Sequence, residues 1–353
     1  MTRLAFPFLF NACILTLAQS VDLLEWTPLP PIPDELGVAG PYTGVHSDFL
    51  LVAGGANFPA PVWESNKVWH DSIYGLSLDD ENANWKTVGQ LPRPLGYGAC
   101  VSVPEGVVCI GGNDSGVVYD SVFLLSWNGE SVVIDDSLPP LPQPLCYSVA
   151  AMIGSYIYVA GGQTGLGLET AGEIFWRLDW SKRGDESAFR WEILEGWQGE
   201  PRAFSTLVAQ SNGKTECLYL IGGRHLDAKG KTKFLGEVHE FNPANEAWRR
   251  RADMPTASAA GTAAAIGEDR IFVLAGADGS LFEKSDELKN GHPGFPKMVW
   301  AYDTITDTWF KAGAMPQNQV TTHAVKWGDM VLLASGEVRP RVRTPAVWRI
   351  EAR

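Results

Sequence analysis

Six times along this chain an apolar run ends in a pair of small residues. Four copies are clear: Leu51-Val52-Ala53-Gly54-Gly55, Val108-Cys109-Ile110-Gly111-Gly112, Tyr158-Val159-Ala160-Gly161-Gly162 and Tyr219-Leu220-Ile221-Gly222-Gly223. Two degenerate copies follow, with the doublet read as Gly276-Ala277 after Val273-Leu274-Ala275, and as Ser335-Gly336 after Leu332-Leu333-Ala334. The doublets stand 50 to 61 residues apart, the spacing of a four-stranded repeat of roughly 50 residues. A second mark keeps the same phase: Trp26, Trp85, Trp248 and Trp309 each precede a proline by seven residues, at Pro33, Pro92, Pro255 and Pro316. Trp191 leads to Pro201 with a three-residue insertion, and the second unit lacks the tryptophan but closes with Leu141-Pro142. Between doublet and tryptophan lies one more apolar segment, such as Ile73-Tyr74-Gly75-Leu76 or Val299-Trp300-Ala301-Tyr302. Each unit therefore reads as strand a, strand b ending in the doublet, a loop, strand c, and strand d opening with tryptophan. Six such units predict an all-β fold, a six-bladed β-propeller.

The ends say how the ring closes. The chain enters on Trp26-Thr27-Pro28-Leu29, a d strand with nothing before it, and leaves on Ala346-Val347-Trp348-Arg349-Ile350, a c strand with no d after it. The N-terminal strand is thus expected to complete the last blade, which removes the free sheet edges. In such a ring the residue after each doublet (Ala56, Asn113, Gln163, Arg224, Asp278 and Glu337) falls on one face around the central channel. Two long b–c loops, Asn57 to Asp71 and Asp278 to Lys297, open on that face, and loops of this length are often functional.

Composition narrows the rest. Glycine (37) and proline (23) are abundant without a collagen-like period, as short strands and many turns require. A net charge of −13 argues against a general nucleic-acid surface, which needs a basic footprint. Residues 1–20 read as a secretory signal peptide, with Arg3 ahead of an apolar segment and small residues around Ala18 at the cleavage site. That reading places residues 21–353 as one propeller domain in the periplasm or outside the cell, with no membrane contact after cleavage. Cys13 falls within the signal; Cys100, Cys109, Cys146 and Cys217 remain. A hairpin turning at Pro104-Glu105 sets Cys100 opposite Cys109, as a disulfide or, the more ordinary reading, as two small buried side chains.

Against so acidic a background, Ser335-Gly336-Glu337-Val338-Arg339-Pro340-Arg341-Val342-Arg343-Thr344 puts three arginines within six residues of a carboxylate. Glu337 at the channel mouth is a candidate general base; the alternative is a structural ion pair with Arg339, Arg341 or Arg343. Arg343, Arg224 and Arg202 (the last at the turn Glu200-Pro201-Arg202) are candidates to hold a substrate carboxylate through the guanidinium fork. Asn57, Trp69 and His70 in the first long loop offer sugar-type contacts, and Tyr97 at the start of the second a strand is either a hydroxyl donor or a core aromatic. His323 reads as a packed histidine, and Arg249, Arg250 and Arg251 as a solvated outer strand. No nucleotide-binding fingerprint, metal-binding histidine pair or nucleophile elbow is present, so no cofactor or metal is called for.

The repeats resemble kelch motifs, and the chain more closely resembles the bacterial N-acetylneuraminate epimerases, periplasmic sialic acid mutarotases, in a cyclically permuted form. The segment Gly336-Glu337 through Arg343-Thr344-Pro345-Ala346-Val347 is similar to the family's Gly-Glu, Pro and Leu-Arg-Thr ahead of an Ala-Val strand. Gly37-Val38-Ala39-Gly40, Ala53-Gly54-Gly55-Ala56-Asn57-Phe58 and Pro201-Arg202 are similar to further family segments, with Pro41 and Asn57 where the family has glycine. The resemblance implies that Glu337 is the proton acceptor, that Arg343 is the Arg-Thr arginine, and that the substrate is an acidic sugar, N-acetylneuraminate. A mutarotase for another acidic sugar, or a non-catalytic kelch-type module binding a glycan or protein, are the alternatives.

Overall fold

The computed structural model describes residues 22–353; the expected signal peptide, residues 1–20, and Cys13 lie outside the described residues. Six four-stranded antiparallel sheets form the blades of a propeller. Blade 1 is built from Tyr42–His46, Phe49–Ala53, Ser72–Ser77 and Lys86–Gln90, and the next four follow in chain order with the same connection. Blade 6 takes Ala324–Trp327, Met330–Ala334 and Val347–Ala352 from the C-terminus, and its outer strand is Leu24–Leu29. That strand pairs antiparallel from Leu24 opposite Ala352 to Leu29 opposite Val347, as the sequence predicts.

Apart from an exposed first residue at Glu216 and Arg270, the b strands are apolar because both faces are covered, each by a neighbouring blade. Leu50 and Val52 of blade 1 pack with Val325 and Leu332 of blade 6, while Leu51 and Ala53 pack with Val107 and Cys109 of blade 2. The core is therefore six apolar layers between blades, and burying both faces of a strand removes the hydrophobic–polar alternation of a one-sided sheet. The repeated tryptophans clasp the outer edge. Trp85, Trp191, Trp248 and Trp309 donate their indole N–H to backbone carbonyls of the preceding blade, at Pro30, Pro139, Glu195 and Ala252.

The doublets stitch the inner edge. The N–H of the second residue donates to a carbonyl next to the following blade's a strand, as from Gly55 to Leu95 at 2.8 Å and from Gly112 to Leu145 at 2.8 Å. A Cβ on Gly54 or Gly111 would lie 2.2 Å from that same carbonyl oxygen, and both have positive φ, so glycine is required twice over. The fifth doublet is Ala275-Gly276, one residue earlier than the sequence reading, because Ala275 adopts the left-handed φ of +58° and Ala277 takes the position after it. Asp278 therefore lies one residue beyond the expected ring position. In blade 6 the first doublet residue is Ser335, whose Oγ donates to the carbonyls of Val38 or Thr344 (2.9 Å each) and accepts the Val38 N–H at 2.8 Å. A serine thus seals the one junction where the two ends of the chain meet.

The four described cysteines are buried and free; Cys100 stands opposite Cys109 in the blade 2 hairpin, as its turn predicts, without a disulfide. Among the described residues no helix is long and apolar enough to cross a membrane.

Candidate functional site

Where the six a strands begin, the backbone makes a closed circuit. Tyr97 N–H donates to Gly40 C=O, Tyr147 to Tyr97, Phe204 to Tyr147, Ala260 to Phe204, Thr321 to Ala260, and Gly40 back to Thr321, at 2.6–3.0 Å. All six residues have φ between +53° and +66°, an unfavourable setting for five non-glycine side chains that the ring of bonds holds in place. This circuit separates the central channel from a cavity of about 840 Å³ on the doublet face.

The circuit is also the cavity's floor, aromatic on one side (Tyr97, Tyr147, Phe204) and small on the other (Ala260, Thr321). Tyr97 and Tyr147 lie 5.0 Å apart between ring centroids, and Tyr147 stacks on Phe204 at 4.2 Å. The walls are the b–c loops of four blades. Blade 1 contributes Phe58 and Lys67, blade 4 a short hairpin from Arg224 to Phe234, and blade 5 the loop carrying Phe282 and His292; blade 6 contributes the hairpin from Glu337 to Arg343.

Glu337 and Arg343 face each other across that last hairpin. Arg343 Nη1 lies 2.6 Å from Glu337 Oε1, close but poorly aligned for a hydrogen bond, so the contact is an ion pair rather than a fork. The backbone N–H of Arg341 donates to the same oxygen at 2.8 Å. Both contacts fall on Oε1, and no protein partner of Oε2 is found among the described residues. Arg343 is itself buried, its Nε donating to Ala56 C=O at 3.3 Å. Burial alone would pull its pKa down, but Glu337 and Tyr97 outweigh that and hold it above the ordinary guanidinium value.

Arg224, on the blade 4 side of the cavity, is held differently. Its guanidinium sits 4.1 Å from the centre of the Phe204 ring, 5.5 Å from Phe282 and 5.9 Å from Phe234. Its Nε has no hydrogen-bond partner among the described residues. Burial lowers its pKa, an effect the Glu337 and Tyr147 charges only partly offset, yet a guanidinium stays protonated at any physiological pH. A cation held by ring faces keeps its in-plane donors for a ligand. Phe58 gathers a second group: Arg341 at 4.5 Å, Arg343 at 5.1 Å and Lys67 at 5.9 Å. An anion entering the cavity meets cations from blades 1, 4 and 6.

Of the residues singled out in the sequence, Glu337, Arg343, Arg341, Arg224, Tyr97 and Asp278 line this cavity. Arg202 does not reach it. Its side chain turns into the protein and is fully buried, donating to Glu200 C=O, Gly222 C=O and the Glu237 carboxylate. Asn57 is also buried, and its amide donates to Gly37 C=O at 3.0 Å and to Asp34 at 3.3 Å, which anchors the turn that leads into blade 1. His70 joins blades through its backbone, its N–H on Gly55 C=O and its C=O accepting from Leu95, and its ring lies outside the cavity lining. Arg341 and Arg339 hold loops, through the carbonyls of Trp63 and Asn290 respectively. Lys67, Tyr147 and Phe204 line the cavity as well; the last two follow from aligning the residue ahead of each a strand with Tyr97, whereas no repeat marks Lys67. No cluster of three or more metal-ligating side chains occurs among the described residues.

A family model for N-acetylneuraminate epimerase matches residues 14–134 and 138–292, most of the chain; Glu337 and Arg343 lie beyond the matched segments. Curated relatives carry the same name. The N-acetylneuraminate epimerase of Yersinia pestis (strain Pestoides F) is 33% identical over 147 residues, 36% of each chain. That of Brucella suis is 40% identical over 124 residues, 31% of each, and that of Haemophilus influenzae (strain PittEE) 33% identical over 129 residues. The chain thus spans about a third of the length of the curated relatives it matches. The solved structure of YjhT shares the fold, with a TM-score of 0.67 at 16% identity over 91% of this chain and 96% of that one.

Proposed function

The chain belongs to the N-acetylneuraminate epimerase family, and from that premise we propose that it is an isomerase interconverting the α and β anomers of N-acetylneuraminate. The observation that carries the reading is a carboxylate tied, among the described residues, by one oxygen only, at the wall of a cavity that another blade lines with a guanidinium lacking an ion-pair partner among those residues. N-acetylneuraminate bears a carboxylate on its anomeric carbon, so a base for the anomeric hydroxyl and a cation for the carboxylate are needed within one sugar's width.

Glu337 accepts the anomeric hydroxyl proton through Oε2 while Arg343 and the Arg341 N–H fix its other oxygen. As the hydroxyl becomes a carbonyl, the bond from the anomeric carbon to the ring oxygen breaks and the ring oxygen takes up a proton. Rotation exposes the other carbonyl face, the ring oxygen re-attacks, and the proton on Glu337 returns. Arg224 holds the carboxylate in both anomers, with donors left free by its phenylalanine cage. The aromatic arc of Tyr97, Tyr147 and Phe204 gives the sugar's C–H face a surface to lie on. Residues 1–20, as a secretory signal, would deliver the enzyme to the periplasm or beyond, where free sugar is met.

The test is one-dimensional NMR of freshly released α-N-acetylneuraminate with wild type and Glu337→Gln. Wild type should speed anomer equilibration over buffer, and the variant should lose ~10²–10⁴-fold of that rate, the usual worth of a positioned base. No acceleration by wild type refutes the function; an equally fast variant refutes the role of Glu337. A non-catalytic glycan- or protein-binding module is the less favoured reading, because convergent cations in a cavity suit a small acidic ligand better than a flat apolar partner.

A further inference from the structure

The ring oxygen needs a proton from the protein, and Glu337 is committed to the anomeric hydroxyl. We propose that the phenol of Tyr97 supplies it; this rests on the mutarotase reading above. Three observations converge on this side chain. Tyr97 belongs to blade 2, but its ring leans over blade 1: a Cβ on Gly40 would lie 2.4 Å from Tyr97 Cδ1, so glycine at 40 makes the space. Gly40 follows Thr321 of blade 6 in the floor circuit, so the lean carries the phenol toward the blade 6 hairpin that holds Glu337 and Arg343.

The second observation is the hydroxyl itself. It is buried, has no hydrogen-bond partner among the described residues, and belongs to a residue lining the cavity. Burying an unpartnered hydroxyl is costly, and a ligand oxygen supplies what it lacks. The third is charge. Arg343 lies beside the phenol without a well-aligned hydrogen bond to it, and Lys67 Nζ sits 4.8 Å from the centre of its ring. The phenolate left by proton donation would have a cation on each side. The neighbouring Tyr147 is a weaker acid, since burial pushes its phenol well above the ordinary tyrosine value.

The step balances. Glu337 removes the proton from the anomeric oxygen, and the electrons of that O–H bond form the carbonyl. The electrons of the ring C–O bond pass to the ring oxygen, which takes the Tyr97 proton. The open-chain keto acid is then held between a protonated Glu337 and a Tyr97 phenolate beside Arg343 and Lys67. Closure reverses each transfer, returning one proton to Tyr97 and one to the anomeric oxygen, so no co-reactant is consumed.

Tyr97→Phe keeps the ring and its packing on Trp69 and Tyr147 and removes the hydroxyl, and with it the proton. By the NMR assay it should lose ~10²–10⁴-fold in kcat with KM little changed, the range for a positioned acid. A variant as fast as an active wild type overturns the proposal and leaves the mutarotase reading intact; an inactive wild type overturns both. A second probe covers failure of Tyr97→Phe to fold. A difluorotyrosine at position 97, a stronger acid of nearly the same size, should move the alkaline limb of the kcat/KM profile to lower pH. A limb that stays in place overturns the proposal, because a purely structural tyrosine would not set it.

Discussion

Two glutamate–arginine pairs lie at the doublet ends of the blades, and they have opposite uses. In the Arg202–Glu237 pair every strong group is employed. Arg202 spends its donors on two carbonyls and the carboxylate, and the second Glu237 oxygen lies 3.2 Å from Arg250 Nη1. The Glu337–Arg343 pair leaves one carboxylate oxygen without a protein partner among the described residues, beside a cavity. The first is a clasp between blades 3 and 4, saturated and therefore inert. The second is unsaturated, and what it lacks a substrate can supply. A charged pair is read for function by its spare valence, more than by its burial or its closeness.

The sharpest way to break this comparison is to remove one arginine from the clasp. Arg202→Met should destabilise the protein by ~3–5 kcal/mol, because Glu237 would be left partly buried without its principal partner. The NMR rate per folded molecule should be unchanged, since Arg202 does not line the cavity. Glu337→Gln should do the reverse and leave the denaturant midpoint near wild type. A marked rate loss in folded Arg202→Met would mean that the clasp is part of the site after all.

From the sequence these two pairs could not be told apart. Arg202 follows a proline ahead of an a strand, which puts its backbone near the channel mouth; the direction of its side chain is set by Glu237, 35 residues on, and by Trp197, whose ring lies 5.2 Å from the guanidinium. The blades, the ring closure and the place of Glu337 were legible because each is a repeated spacing or an end that lacks its strand. The floor circuit as a whole was not, because Gly40, Tyr97, Tyr147, Phe204, Ala260 and Thr321 share a backbone conformation while only three of the six are aromatic. The fifth doublet was misread by one residue for the same reason: Ala275 takes a glycine's conformation without being one. Arg224 was a lone candidate in sequence, and its phenylalanine cage comes from two blades, Phe204 and Phe234 of blade 4 and Phe282 of blade 5.

Arg224 sharpens the comparison at the next level down, as a cation with no carboxylate in ion-pair contact among the described residues, Glu337 acting on it only from a distance. Arg224→Met should keep the fold and weaken substrate binding by ~10–100-fold in KM, the worth of a charge-assisted hydrogen bond of ~1.5–3 kcal/mol. The loss should appear with N-acetylneuraminate and vanish with an analogue whose carboxylate is replaced by a neutral amide. An equal loss for both would show that the arginine shapes the cavity rather than reading the charge.

The smallest expected effect is on pH and again separates clasp from site. Burial would raise the Glu237 carboxyl, but the Arg202 hydrogen bond and charge overcome it and hold it at about 2; burial, helped by Arg202, pushes His239 down to about 4. Both folded values lie below ordinary ones, so between them and the ordinary values the unfolded chain binds more protons than the folded one. Stability therefore falls with acidification: from about 6.5 to 4 as the unfolded-state His239 equivalent protonates, then from about 4.5 to 2 as the Glu237 equivalent does. His239→Gln should flatten the first stretch of a stability-against-pH curve while leaving the second. Because this histidine belongs to the clasp, the mutarotation profile of His239→Gln should overlay that of wild type wherever both are folded. A shifted activity profile would tie the two pairs together; an overlay would show that one propeller uses the same two residue types once to hold its blades and once to move a proton.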